Sequence, residues 1–139
     1  MSSPEWELHP QLARDTISIG DLSLCRILLM NDANYPWLLL VPRQSGLVEL
    51  IDLSESAQAL LMTEIARVSR GLRIVAPCDK LNIAAIGNAV PQLHVHIVAR
   101  RRTDAAWPKP VWGLLPPLAY APDELNRFAG ELRRQFCVA

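Results

Sequence analysis

The chain has 139 residues, half of them hydrophobic, and its 14 Lys and Arg balance 14 Asp and Glu for a formal net charge of zero. That length fits one domain with a substantial core. The neutral balance argues against a basic footprint for nucleic acid, while leaving room for a small anionic ligand held by local donors. Cys25, Cys78 and Cys137 are widely spaced and form no CxxC unit, which fits a reducing compartment. The N-terminus is polar, without a signal-type apolar stretch, and the most apolar runs, 27–30 and 37–41, are far too short to span a bilayer. A soluble cytoplasmic protein with no membrane partner is the expectation.

In chain order, residues 10–15 predict one helical turn with Pro10 at an early position, where a missing N–H costs little. Residues 16–19 read as a short strand. Residues 24–30 and 37–41 read as two strands of an antiparallel hairpin, joined by the turn-forming run Asn31-Asp32-Ala33-Asn34-Tyr35-Pro36. A long helix is predicted over about 53–72. Its apolar stripe of Ala57, Leu60, Leu61, Ile65, Val68 and Leu72 would cover the sheet, with Gly71 near its fraying end. Asp52 and Glu55 have capping-box spacing, and Ser54 is a rival cap.

Residues 81–86 predict another strand, which the turn at 87–91 leads into the next. Residues 101–122 are rich in proline and carry Trp107 and Trp112. Proline lowers the entropy lost on ordering, so this stretch is read as a fixed excursion over the surface. A last helix starts near Pro122, with Asp123 and Glu124 in its first turn, Arg133 and Arg134 near its far end, and Leu125, Phe128, Leu132 and Phe136 facing inward. Antiparallel strands with segregated helices make an α+β fold. A single domain follows, with its core at about 16–102, the excursion at 103–121 and the C-terminal helix at about 122–137.

The chemistry concentrates in Gly87-Asn88-Ala89-Val90-Pro91-Gln92-Leu93-His94-Val95-His96-Ile97-Val98, which holds two of the three histidines. Polar and apolar residues alternate from Gln92 to Ile97, as in a half-buried strand. Gln92, His94 and His96 would share one face and Leu93, Val95 and Ile97 the other. Burial explains the apolar row but not the polar one, because imidazoles and amides are costly to bury without partners. A neutral His94 can attack phosphorus to form a phosphoramidate, dividing one hard displacement into two easier ones. His96 can hydrogen-bond the leaving oxygen. Gln92 is a donor and acceptor that carries no proton into chemistry. Gly87 and Asn88 can bring backbone amides close to phosphate oxygens. The plainer alternative is a pair of satisfied histidines at a sheet edge.

Other candidates read more blandly. HxH supplies two nitrogens where a stable metal site wants three or four ligands. His9 lies far upstream, and Cys78 and Asp79 would help only if the fold brought them close. No metal and no cofactor are therefore expected. Trp107 and Trp112 would anchor the excursion or form a lid over a base. Tyr35 and Trp37 read as packing, and Arg100, Arg101 and Arg102 as a solvated strand end.

The stretch from Gly87 to Val98 resembles the signature strand of the histidine triad (HIT) superfamily, His-φ-His-φ-His-φ-φ with φ apolar, after a glycine-containing turn. Asn82, Tyr35-Pro36-Trp37 and Trp107-Pro108-Lys109-Pro110-Val111-Trp112-Gly113 resemble a bacterial subgroup whose triad begins with glutamine. The resemblance implies a homodimer that binds a nucleotide or related phosphate compound. It implies cleavage of a phosphoanhydride or phosphoramidate through a nucleotidyl-histidine, by hydrolysis or nucleotidyl transfer, with no required metal. Carried over, His94 is the nucleophile, His96 touches the scissile oxygen and Asn88 contacts phosphate. Asn31 approximates the ribose-binding position, with Asp32 competing for it. Two departures stand out. Gln92 replaces a histidine, and Trp37 stands where an upstream histidine is usual. They motivate the alternative of a nucleotide-binding protein with little or no turnover.

Overall fold

A computed structural model describes residues 5–138. The chain runs α1 (Pro10–Asp15), β1 (Thr16–Asp21), β2 (Cys25–Met30), β3 (Trp37–Pro42), a 3-10 turn (Leu50–Asp52), α2 (Glu55–Val75), β4 (Lys80–Ala84), β5 (Val95–Arg100) and α3 (Pro122–Phe136). The strands form one sheet in the order β1-β2-β3-β5-β4, and every neighbouring pair is antiparallel. This is the expected α+β architecture of five strands with a central and a C-terminal helix.

Alternation along the strands divides the core between two faces. On one, Leu38 and Leu40 of β3 and Val95, Ile97 and Ala99 of β5 pack with Leu61, Ile65, Val68 and Leu72 of α2 and Leu132 and Phe136 of α3. On the other, Trp37, Leu39, Val41 and Val98 pack with Leu12 of α1 and with Ala106, Val111 and Trp112. The proline-rich excursion is thus a covering layer for the second face. A strand buried on both faces reads as a continuous apolar run, which is why β3 is Trp-Leu-Leu-Leu-Val-Pro.

Several boundaries and contacts depart from the sequence reading. β5 begins at Val95, so Gln92 and His94 precede the ladder. β4 is Lys80–Ala84, shifted one residue towards the N-terminus at its start. Ser54 caps α2, its Oγ accepting from the Ala57 N–H at 3.2 Å. Asp52 instead accepts from the N–H groups of Val48 and Glu49 at 3.1 and 2.8 Å. Gly71 lies inside α2, where the Phe136 ring occupies the space a Cβ would need. A small residue there lets α2 and α3 approach closely.

Arg100 is not solvated: it is only 1% exposed. Its Nε and Nη2 donate to Asp104 at 2.8 and 3.1 Å and its Nη1 donates to Asn82 Oδ1 at 2.9 Å. A buried charge needs such pairing to offset lost hydration. Burial works against the Asp104 carboxylate, but the Arg100 guanidinium and backbone donors prevail and hold its carboxyl below the usual value. Asp104 also accepts from the N–H groups of Arg101, Ala106 and Trp107. One ion pair therefore joins the end of β5 to the start of the excursion. Among the described residues, no helix is long and apolar enough to cross a membrane.

Candidate functional site

The connection from β4 to β5 turns at Gly87, whose φ of +70° is a conformation that side chains disfavour. It is then held down where the Leu93 N–H donates to the Leu47 carbonyl at 3.0 Å. His94 and His96 follow, both buried, with ring centroids 4.9 Å apart and planes at 62°.

Their hydrogen bonds fix opposite tautomers. His94 Nδ1 lies 2.7 Å from the Gln92 carbonyl oxygen. A carbonyl only accepts, so Nδ1 carries the proton and the lone pair sits on Nε2. Trp37 Nε1 lies 3.1 Å from His96 Nδ1. An indole N–H only donates, so here Nδ1 is bare and Nε2 carries the proton. Neither Nε2 has a hydrogen-bond partner among the described residues. The site presents an unprotonated ring nitrogen and an N–H donor on neighbouring histidines. Burial, and then repulsion from His94, push the His96 pKa down to about 4, in line with a ring already accepting at Nδ1.

The other residues singled out from the sequence fall into two groups. Gly87 and Gln92 line one cavity of about 300 Å³ with His94, bounded by Leu50 and Ile51. Asn31 and Asp32 line a second, of about 440 Å³, with Arg14 and Trp37. Gln92 turns its amide to the N-terminal segment, accepting from the His9 N–H and donating to the Glu7 carbonyl, each at 2.8 Å. Asn31 Oδ1 accepts from the Tyr120 N–H at 2.9 Å, and Asp32 Oδ1 from those of Asn34 and Leu118 at 3.0 and 3.2 Å. Asn88 is exposed and has no partner among the described residues.

Trp112 packs its ring 5.4 Å from His96 at 78° and 6.2 Å from Trp37. Its Nε1 is buried and has no acceptor among the described residues. Trp107 stands against the Arg100 guanidinium, 5.6 Å away. The sequence reading missed the partnership of Trp37 with His96. The signal was available in principle: β3 pairs with β5 so that Leu39 opposes His96, and Trp37, two residues along, shares that face. No group of three or more His, Cys, Asp or Glu among the described residues is placed to hold a metal. His9 caps α1 through Nδ1, and Asp79 accepts from the Arg102 N–H.

A five-stranded antiparallel sheet whose inner strand is entered from a glycine turn through two neighbouring histidines is the architecture of a histidine-triad type of protein. The chain belongs to the HIT family: the HIT domain model matches residues 11–103. It is similar to a histidine triad protein from Bradyrhizobium japonicum, with 62% identity over 95% of this chain and 98% of that one, at a TM-score of 0.92. Histidine triad proteins from Sinorhizobium meliloti and Marinobacter aquaeolei are each 41% identical, with TM-scores of 0.91 and 0.92. The first alignment covers 94% of this chain and 97% of that one, and the second 96% and 98%. No curated protein matches the chain.

Proposed function

We propose that this protein is a cytoplasmic nucleotide hydrolase or nucleotidyl transferase, working through a covalent His94 intermediate without a metal or cofactor. The observation that carries the reading is the hydrogen bond from His94 Nδ1 to the Gln92 carbonyl, which leaves the Nε2 lone pair free. His94 Nε2 attacks phosphorus, a P–N bond forms, and the bond to the leaving group breaks with its electron pair. The His96 Nε2–H steadies the bridging atom. Backbone N–H groups at Gly87 and Asn88, with the Asn88 amide, take the non-bridging oxygens. Water then attacks the nucleotidyl-histidine, or an acceptor does so in transfer. Asn31 and Asp32 are engaged by the loop at 118–120, so they shape the second cavity, where a nucleoside would lie.

The test is brief exposure to a dinucleoside polyphosphate in the presence of chelator, followed by mass spectrometry. A nucleoside-monophosphate adduct on His94 supports the enzyme, and turnover unaffected by His94→Ala overturns it. The second reading, a nucleotide binder with little turnover, is favoured by Gln92 and Trp37 standing where the family pattern has histidines. Calorimetry showing nucleotide binding that His94→Ala leaves unchanged, with no adduct, selects it.

A homodimer is part of the proposal. β4 is an edge strand, and Ile83 and Ile86 on and beside it are 46% and 42% exposed. Such an edge is a template for pairing with a second copy.

A further inference from the structure

We propose that Trp37 holds His96 as a neutral Nε2–H donor around neutral pH, so that the site expels weakly basic oxygen leaving groups, carboxylates and phosphates, far more readily than it cleaves P–N bonds to alkylamines. The inference rests on the covalent role proposed for His94 and narrows its substrate class to mixed anhydrides of a nucleoside monophosphate.

The argument is one of proton inventory. To give a leaving group its proton, His96 must begin as an imidazolium or end as an imidazolate. As an imidazolium it would carry hydrogens on both nitrogens, and Nδ1–H would face the Trp37 N–H 3.1 Å away, donor against donor. As an imidazolate it would need Nδ1 reprotonated in the same step. The indole donor there is far too weak an acid to do so. A histidine in Trp37's place could shed or accept a proton, whereas an indole can only donate a hydrogen bond.

The groups facing His96 supply no substitute. Trp112 presents its ring edge-on at 5.4 Å, and Tyr35 stands behind Trp37 with ring centroids 6.3 Å apart. Arg100, on the same face of β5, is committed to Asp104 and Asn82. His94, with its ring 4.9 Å away, must stay neutral to attack, and its own proton is held by the Gln92 carbonyl. The low His96 pKa agrees with this locked state.

Leaving groups divide accordingly. A carboxylate with a conjugate-acid pKa of about 4 departs as an anion, helped only by a hydrogen bond. A phosphate with a pKa of about 6 does the same. An alkylamine, whose ammonium form has a pKa of about 10, must be protonated as the P–N bond breaks. In the favoured reaction the P–O pair leaves with the oxygen. Water then replaces His94 on phosphorus, and the proton it sheds goes to solvent. The acid products need no proton from the protein.

The experiment compares two substrates sharing one adenylyl group: an acyl adenylate, and an adenosine 5′-phosphoramidate of an alkylamine. The wild-type protein is expected to favour the anhydride in kcat/KM by about 100-fold or more after correction for uncatalysed hydrolysis, the usual contribution of a general acid. Trp37→Phe, which removes the donor, and Trp37→His, which supplies a titratable one, are each expected to narrow that ratio by about 10-fold or more. Nitrogen-15 NMR of the wild-type imidazoles, which needs no variant, is expected to show His96 protonated at Nε2 and bare at Nδ1 from about pH 5 to about pH 8. Cleavage of both substrates at similar rates overturns the leaving-group restriction and leaves the covalent reading standing. An imidazolium His96 near neutrality overturns it as well. If the wild-type protein turns over neither substrate, the hydrolase reading falls and takes this inference with it.

Discussion

His94 and His96 are chemically alike in sequence, and a single acceptor or donor at Nδ1 sets them apart. His94→Ala is predicted to lower turnover by about 10⁴-fold, as removal of a nucleophile does, read as kcat on the best anhydride. His96 also links the site to stability. Its folded pKa of about 4 lies below its ordinary 6.5, so between those values the unfolded chain binds a proton that the native one refuses. Stability therefore falls as pH drops from about 6.5 to about 4, by roughly 3 kcal/mol in total. It is level above that window for this group. Urea titrations across the window are expected to show a shallower fall for His96→Asn than for the wild type; equal slopes would remove His96 from the account. The histidine motif was legible in sequence because alternation of two leaves the polar row unexplained by burial. The tautomers were not, since they depend on a carbonyl orientation and on an indole about 60 residues away.

Among the elements, α2 and α3 owe their close crossing to Gly71. Gly71→Ala should gain helix propensity of about 1 kcal/mol, yet it places a methyl group where the Phe136 ring lies. A net destabilisation of about 1–3 kcal/mol is expected from overpacking. Thermal denaturation of Gly71→Ala with and without Phe136→Leu checks it, because the second change should relieve the first. The excursion depends on Asp104. Asp104→Ala leaves the buried Arg100 guanidinium unpaired and should cost about 3–5 kcal/mol, with limited proteolysis appearing within 103–121. If such cleavage is no faster than in the wild type, Asp104 does not tether this layer. The strands and helices were legible from periodicity and turn residues. That the excursion fills the second sheet face was not, because Trp107 and Trp112 carry no periodic signal. Arg100 likewise reads as a polar strand end until Asp104 is seen folded back on it.

For the whole molecule, the unpaired edge of β4 bears on assembly. Ile83→Lys is expected to shift the protein from a dimer towards a 15.5 kDa particle in sedimentation at micromolar concentration, since an edge lysine discourages strand pairing. A wild-type protein that already sediments as a monomer would exclude the proposed dimer. The α+β class was legible from the pattern of antiparallel strands and segregated helices, whereas in the sequence a dimer followed only from the family resemblance.

The clamp of Gln92 on residues 7 and 9 bears on the order of folding. These bonds span 83 and 85 positions of sequence, so closing them early would carry the entropy of a very long loop. On a ribosome the N-terminal segment emerges first but must wait for the His94 region before it can settle. The docking of the N-terminal segment on the Gln92 side chain is therefore expected to come late in folding, after the β2–β3 hairpin and α2 have formed, while the Gln92 main-chain carbonyl is already set by the bond of the adjoining Leu93 N–H to Leu47.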